Sequence, residues 1–355
     1  MLWVDKHRPA SLEKLSFHDD LTARLTNLGE QGDIPHLLFY GPNGAGKKTR
    51  IVALLRSLFG PGAEKQRLEH REFKTPTNKT IEITTVASNY HIEMNPSDAG
   101  NNDRFVVQEV IKEIASSGSV LARKADAKGP KYKVVLLVEV DRMSRQAQAG
   151  LRRTMEKSAQ TCRLIMCCSN PSKLIDPIKS RCLGIRVPAP SEDEIAGVLR
   201  EVAEKERLTL PDELAARVAK ASGRNLRRAI LSLEECRVAQ YPFDPKMPIP
   251  APDWELYIKA IAQDVCREQS PARLLATRDK LYELLAKCIP ADVIIKTLAD
   301  ELMKNIDDSI KHDVVRWAAF YEHRITQGNK EIFHLEAFVA KFMCIYKKFM
   351  DAMFA

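Results

Sequence analysis

Gly41-Pro42-Asn43-Gly44-Ala45-Gly46-Lys47-Lys48-Thr49 lies between an apolar run, His36-Leu37-Leu38-Phe39-Tyr40, and a helical pattern, Arg50-Ile51-Val52-Ala53-Leu54-Leu55. Strand, glycine-rich loop and helix, in that order, form the context in which Gly-x-x-x-x-Gly-Lys binds phosphate. The glycines let the backbone curl until its N–H groups converge on phosphate oxygens. The helix N-terminus adds partial positive charge, and Lys47 supplies a point charge for the terminal phosphates. The expected ligand is a nucleotide, ATP or ADP, held by residues 41–49.

The loop departs from the full pattern at its end. A Ser or Thr after the lysine would hold Mg²⁺ through its hydroxyl; here the residue is Lys48, a cation with no acceptor. Thr49 comes one residue later, about 100° further round the helix. An active nucleotidase also needs an acidic pair at the end of the next central strand, one acid for the metal's water shell and one for the attacking water. That strand, Val134-Val135-Leu136-Leu137-Val138, runs into Glu139-Val140-Asp141. Val138 has no oxygen to offer, and Asp141 lies beyond Glu139 by about 6–7 Å along an extended chain. Glu139 stands where the water-activating acid would be, and two readings are open for it, catalytic or merely exposed. With both metal contacts missing, Mg²⁺ is not expected at this site, no other metal is expected, and hydrolysis is expected to be slow or absent. The alternative is an ATPase acting through its own site with Lys48 or Thr49 rearranged.

Around this loop, residues 1–190 alternate short apolar runs with helical patterns. Arg163-Leu164-Ile165-Met166-Cys167-Cys168 reads as a further buried strand, and Glu82-Ile83-Thr84-Thr85-Val86 and Gly184-Ile185-Arg186-Val187 as weaker ones. Unalternated strands separated by helices predict a five-stranded parallel α/β sheet covered on both faces. Segment 121–133 reads as an exposed loop. Ser191, followed by Glu192, Asp193 and Glu194, predicts a helix cap with acids in the first turn, opening a helical segment over 191–241. The linker from Tyr241 to Pro252 carries five prolines, which no regular helix can absorb. Residues 253–355 read as an all-α domain. In its last helix an apolar stripe, Leu335, Phe338, Val339, Phe342, Met343, Tyr346, Phe349 and Met350, serves either an internal core or a subunit interface.

Composition bounds the class. The 355 residues are 45% hydrophobic and 29% charged, and the net charge is +8. This fits a globular chain and is compatible with a phosphate-backbone partner. No apolar run reaches the roughly 18–20 residues of a membrane span. The start, Met1-Leu2-Trp3-Val4-Asp5-Lys6, lacks a signal-peptide pattern, so cytosol or nucleus is expected. The eight cysteines form no Cys-x-x-Cys pair, and the reading is buried free thiols rather than a zinc site.

Several segments together resemble the replication factor C clamp loader small subunits of the AAA+ class. These are Trp3-Val4-Asp5-Lys6-His7-Arg8-Pro9, the phosphate loop, Gly150-Leu151-Arg152-Arg153-Thr154-Met155-Glu156, and Ser180-Arg181-Cys182. The resemblance spans essentially the whole chain. Lys48 with Val138-Glu139-Val140-Asp141 looks most like the branch numbered three in animals and five in budding yeast. The resemblance implies a nuclear five-subunit assembly, with four other replication factor C subunits, that opens a sliding clamp and loads it at primer–template DNA in replication and repair. It implies that the helical segment 191–241 is a lid domain and that the C-terminal domain is an oligomerisation collar. It also implies site roles. Arg181 would be an arginine finger in a neighbour's ATP site. Arg227, or adjacent Arg228, would sense nucleotide from the lid. Ser169 or Asn170 would be the first sensor, and Val4 and Arg8 would lie along the base. For DNA, Arg104, at the start of an amphipathic stretch through Ile114, is the phosphate-contact candidate, with a solvated arginine on a capped helix as the other reading.

Overall fold

The computed structural model describes residues 1–74, 80–117, 132–159, 161–328 and 330–354. They fall into two compact units, Met1–Ile249 and Pro250–Ala355. The loop expected over 121–133 lies, up to residue 131, outside the described residues.

The first unit is built on a seven-stranded sheet of order β2-β3-β4-β5-β6-β1-β7. The strands are β1 (Leu37–Tyr40), β2 (Arg67–Lys74), β3 (Thr80–Ala87), β4 (His91–Met94), β5 (Lys133–Leu137), β6 (Cys162–Cys168) and β7 (Leu183–Arg186). The five strands β4-β5-β6-β1-β7 are parallel, while β3 runs antiparallel to both β2 and β4. The parallel set is therefore the expected size, but its membership differs. The Glu82–Val86 run belongs to the antiparallel extension, and the fifth parallel strand is β4. Neither β2 nor β4 was expected. β2, Arg-Leu-Glu-His-Arg-Glu-Phe-Lys, is a charged strand at the sheet edge with Leu68 exposed, which is how edge strands resist further pairing. β4 has four residues, two of them His and Glu.

Alternate residues of β5 enter different cores, as the pleat requires. Val135 and Leu137 pack with Val106, Val107 and Val110 of α4 (Asp103–Ser117) and Leu151 and Met155 of α5 (Arg145–Lys157). Val134 and Leu136 pack with Leu25 of α2 (Asp19–Gln31) and Ile51, Leu54 and Leu55 of α3 (Lys47–Phe59). A short α1 (Trp3–Lys6) begins the chain, and α6 (Asp176–Lys179) precedes β7.

Beyond the sheet, α7 (Glu192–Lys205), α8 (Asp212–Ala221) and α9 (Leu226–Ala239) make a three-helix lid. Ser191 caps α7 as expected: its hydroxyl accepts from Glu194 N–H, and the Glu194 carboxylate accepts from Ser191 N–H. Trp3 crosses from the N-terminus into the lid core beside Leu199, Val218 and Leu233, and Phe243 and Met247 of the proline-rich linker close it.

The second unit is five helices: α10 (Asp253–Arg267), α11 (Pro271–Ala286), α12 (Ala291–Lys304), α13 (Asp308–Gln327) and α14 (Glu331–Phe354). The stripe on α14 is largely internal. Leu335, Phe338, Val339, Phe342 and Met343 are buried in this unit's own core, with Tyr346 and Phe349 packed against it. All eight cysteines are free, but Cys288 and Cys344 are exposed, which corrects the expectation that the thiols are buried. Cys344 is on the outer face of α14 and Cys288 is in the turn after α11, with φ 59°; an isolated cysteine at either place has no periodic signature. Among the described residues no helix is long and apolar enough to cross a membrane.

Candidate functional site

In parallel α/β sheets, ligands gather at the carboxyl ends of the strands, and the loop after β1 opens there. Its glycines are fitted to the turn. Gly46 has φ 83° and begins α3. A Cβ on Gly41 would come 2.0 Å from the Val187 carbonyl, and one on Gly44 would come 1.8 Å from Asn225 Oδ1. Ala45 is buried beneath the loop, and Pro42 and Asn43 are exposed on its rim. Lys47 is buried, and its ammonium donates to the carbonyls of Gly41 (2.6 Å) and Pro42 (2.9 Å). Burial lowers its pKa, partly offset by Cys167, Cys168 and Asp141, with Arg227 adding to the lowering.

The residues on either side of the α3 axis point in different directions, as helical geometry demands. The Lys48 ammonium pairs with Glu93 of β4 at 2.5 Å. Thr49 instead lines a cavity with Val4, Arg8, Gly44, Gly46 and Arg227. Arg227, in the first turn of α9, faces this cavity; Arg228 does not line it. Arg8 is also bound to Asp5 Oδ1 at 2.7 Å.

The strand β5 stops at Leu137, so Val138 and Glu139 lie just past its end. Val138 packs partly into the α3-side core. Glu139 has a left-handed backbone (φ 56°) and its carboxylate lies 3.4 Å from Arg142. Asp141 is occupied: its Oδ2 accepts from the backbone N–H groups of both Ser169 and Asn170, each at 3.1 Å. Of that pair, Ser169 faces the loop, donating to Asn43 Oδ1 at 2.6 Å. Asn170 begins a turn by accepting from Ser172 N–H. Mg²⁺ at a phosphate site takes most of its oxygens from phosphates and water and one or two from the protein; of the two positions expected to offer them, one is a lysine and one a valine. Among the described residues no group of three His, Cys, Asp or Glu side chains is placed to hold a metal ion.

Arg181 lies between α6 and β7. Its guanidinium holds Glu156 of α5 through Nε (2.8 Å) and an NH2 contact (2.6 Å), and it donates to the Pro177 carbonyl at 2.9 Å. Arg104 is exposed in the first turn of α4, along a groove with Gln108, Lys112, Arg153 and Lys157.

Comparison with known proteins bears on the whole chain. A family model described as the replication factor C subunit 3 C-terminal domain matches residues 254–350. One for an RCF1/5-like AAA+ ATPase lid domain matches 197–238, and one for the DNA polymerase III delta subunit matches 17–191. Replication factor C subunit 3 of Homo sapiens is 55% identical over 350 residues, covering 99% of this chain and 97% of the relative. Replication factor C subunit 5 of Oryza sativa is 53% identical with full coverage of both. The chain belongs to the replication factor C subunit 3/5 family. Among solved structures, the Thermotoga maritima RuvB branch migration motor superposes with a TM-score of 0.53 at 15% identity, covering 86% of this chain and 97% of that one. That likeness concerns the fold alone: an AAA+ α/β sheet with a lid and a helical C-terminal domain, the architecture expected of a replication factor C subunit.

Three residues near this site escaped the sequence reading. Asn225 caps α9 by accepting from Arg228 N–H while its Oδ1 covers Gly44; an Asn before a helix signals a cap, not a loop contact. Glu93 carried no signal because its strand was not recognised. Asp103, buried at the start of α4, accepts from Ser144 N–H (2.6 Å) and Ser144 Oγ (2.9 Å), tying the N-termini of α4 and α5 together.

Proposed function

We propose that this chain is a nuclear clamp loader subunit that binds ATP or ADP in its own loop with little or no hydrolysis and lends Arg181 to a neighbouring subunit's site. Its partners are four other replication factor C subunits, the sliding clamp and primer–template DNA. Residues 1–190, 191–241 and 253–355 act as nucleotide-binding domain, lid and oligomerisation collar.

The observation that carries this reading is the contrast within one site. The cradle around Lys47 is intact, yet the metal positions are Lys48 and Val138. Mg²⁺ both neutralises and orients a transferring phosphoryl group, so a cradle that cannot seat it retains grip and loses chemistry. In this reading Val4, Arg8 and Thr49 lie along the nucleoside, Arg227 and Ser169 approach the phosphates, and Arg104 meets the DNA backbone, where phosphate contacts position without reading sequence. Arginine fingers are worth about 10³–10⁵ in rate, so a chain with a poor site still governs catalysis next door.

Reconstituted clamp loading tests the proposal. Arg181→Ala is expected to slow loading and DNA-stimulated ATP turnover by about 100-fold or more at the neighbour's site, and Glu139→Gln to change them less than about twofold. The reverse order would sink it.

A further inference from the structure

The Lys48–Glu93 pair is more than a missing metal ligand. Lys48 occupies the first turn of α3, where loop amides and the helix N-terminus converge. Its partner Glu93 has a side chain only 12% exposed, whereas that of Lys48 is 41% exposed. A largely buried carboxylate on a strand is a fixed anchor, and the lysine side chain that it holds stays partly exposed. The other acids are committed elsewhere, Asp141 to two backbone amides and Glu139 to Arg142.

We infer that the Lys48 ammonium, anchored by Glu93, takes the electrostatic place of a divalent ion beside the nucleotide's phosphates, so that the cradle binds a nucleoside di- or triphosphate without metal. The inference rests on the nucleotide binding proposed above. A lysine offers one compact positive charge with three donors. It neutralises phosphate oxygens but acidifies no water and acts as no Lewis acid, the two services a divalent ion adds. Its ammonium also fills the space a second cation would need. Metal in solution therefore does not tighten binding at this site.

The test is equilibrium titration of the full-length chain with fluorescent N-methylanthraniloyl ADP and ATP, once in excess EDTA and once in excess Mg²⁺. Binding is expected to be no tighter in excess Mg²⁺ than in EDTA, and weaker to the extent that Mg²⁺ sequesters the free nucleotide, and Lys48→Ala is expected to weaken binding in EDTA by about tenfold or more, the effect of one charge-assisted contact. Wild-type binding that is about tenfold tighter in Mg²⁺, or a Lys48→Ala chain that binds as wild type does in EDTA, overturns the inference while leaving nucleotide binding in place. A folded wild-type chain that binds neither nucleotide in either condition overturns the nucleotide reading and this inference with it.

Discussion

Gly44 has φ 75° and no room for a side chain, because Asn225 Oδ1 occupies the position a Cβ would take. Gly41 is less forgiving, since its obstacle is the Val187 backbone carbonyl. A side chain can swing aside and a backbone carbonyl cannot. Gly41→Ala is therefore expected to destabilise the first unit by about 3 kcal/mol, and Gly44→Ala by about 1–2 kcal/mol, read as shifts in urea midpoint. Equal effects at the two positions would argue against this packing. Arg181 gives a second case. Two donors of its guanidinium grip one oxygen of Glu156, which fixes a long, rotamer-rich side chain. If Arg181 acts in a neighbour's site, Glu156 is its positioning residue. Glu156→Gln should lower kcat of the assembled ATPase severalfold with KM nearly unchanged, and Glu156→Asp should recover part of the loss. An equal loss in the Asp and Gln variants would mean that Glu156 is only structural. The glycines were legible because a loop between strand and helix has a known shape. Asn225 and Glu93 were not, because what matters is a contact between segments far apart in the chain.

Among elements, the helices whose ends carry local chemistry were legible. Ser191 and Glu194 announce α7 three residues apart, and the reciprocal bonds are there. The buried β5 and β6 announced themselves by apolar content. What failed was the edge of the sheet: β2 alternates charged residues that read as loop, and β4 is too short for any period to register. The tie between α4 and α5 was also invisible, because Asp103 and Ser144 are 41 residues apart. Each looks like an ordinary N-cap. Yet Asp103 is buried and accepts from Ser144 N–H, Ser144 Oγ and Arg104 N–H. Bonds to a charged acceptor are worth about 1.5–3 kcal/mol, and removing the acceptor strands its donors. Asp103→Ala is expected to cost about 3 kcal/mol, against about 1 kcal/mol for Ser191→Ala at an exposed cap. Chemical denaturation of both variants decides the order. A smaller loss at Asp103 would mean that the two helix N-termini are held by the apolar core alone.

At the scale of the molecule, the first unit carries a built-in sensitivity to acid. His36 and His91 are both in the sheet-bearing unit, and burial lowers the pKa of each from the ordinary 6.5. His36 Nδ1 accepts from Leu164 N–H of β6 at 3.0 Å, so its neutral form is part of the sheet's hydrogen bonding. His91 packs at the start of β4, with Nδ1 2.7 Å from Ser88 Oγ. For groups with depressed folded-state pKa values, the unfolded chain binds protons first. Their contribution is fully present above about pH 6.5 and is lost as pH falls through the folded values. The first unit should therefore lose stability between about pH 7 and 5. Among the described residues of the second unit no histidine is buried. The three tryptophans make this measurable, since Trp3 is in the first unit and Trp254 and Trp317 are in the second. In a Trp254→Phe, Trp317→Phe background, Trp3 fluorescence reports the first unit alone. Its urea midpoint should fall on acidification, and His36→Asn, whose side-chain oxygen can accept from Leu164 N–H without titrating, should flatten the fall. An unchanged pH slope in that variant would assign the acid sensitivity to His91 or to the carboxylates instead.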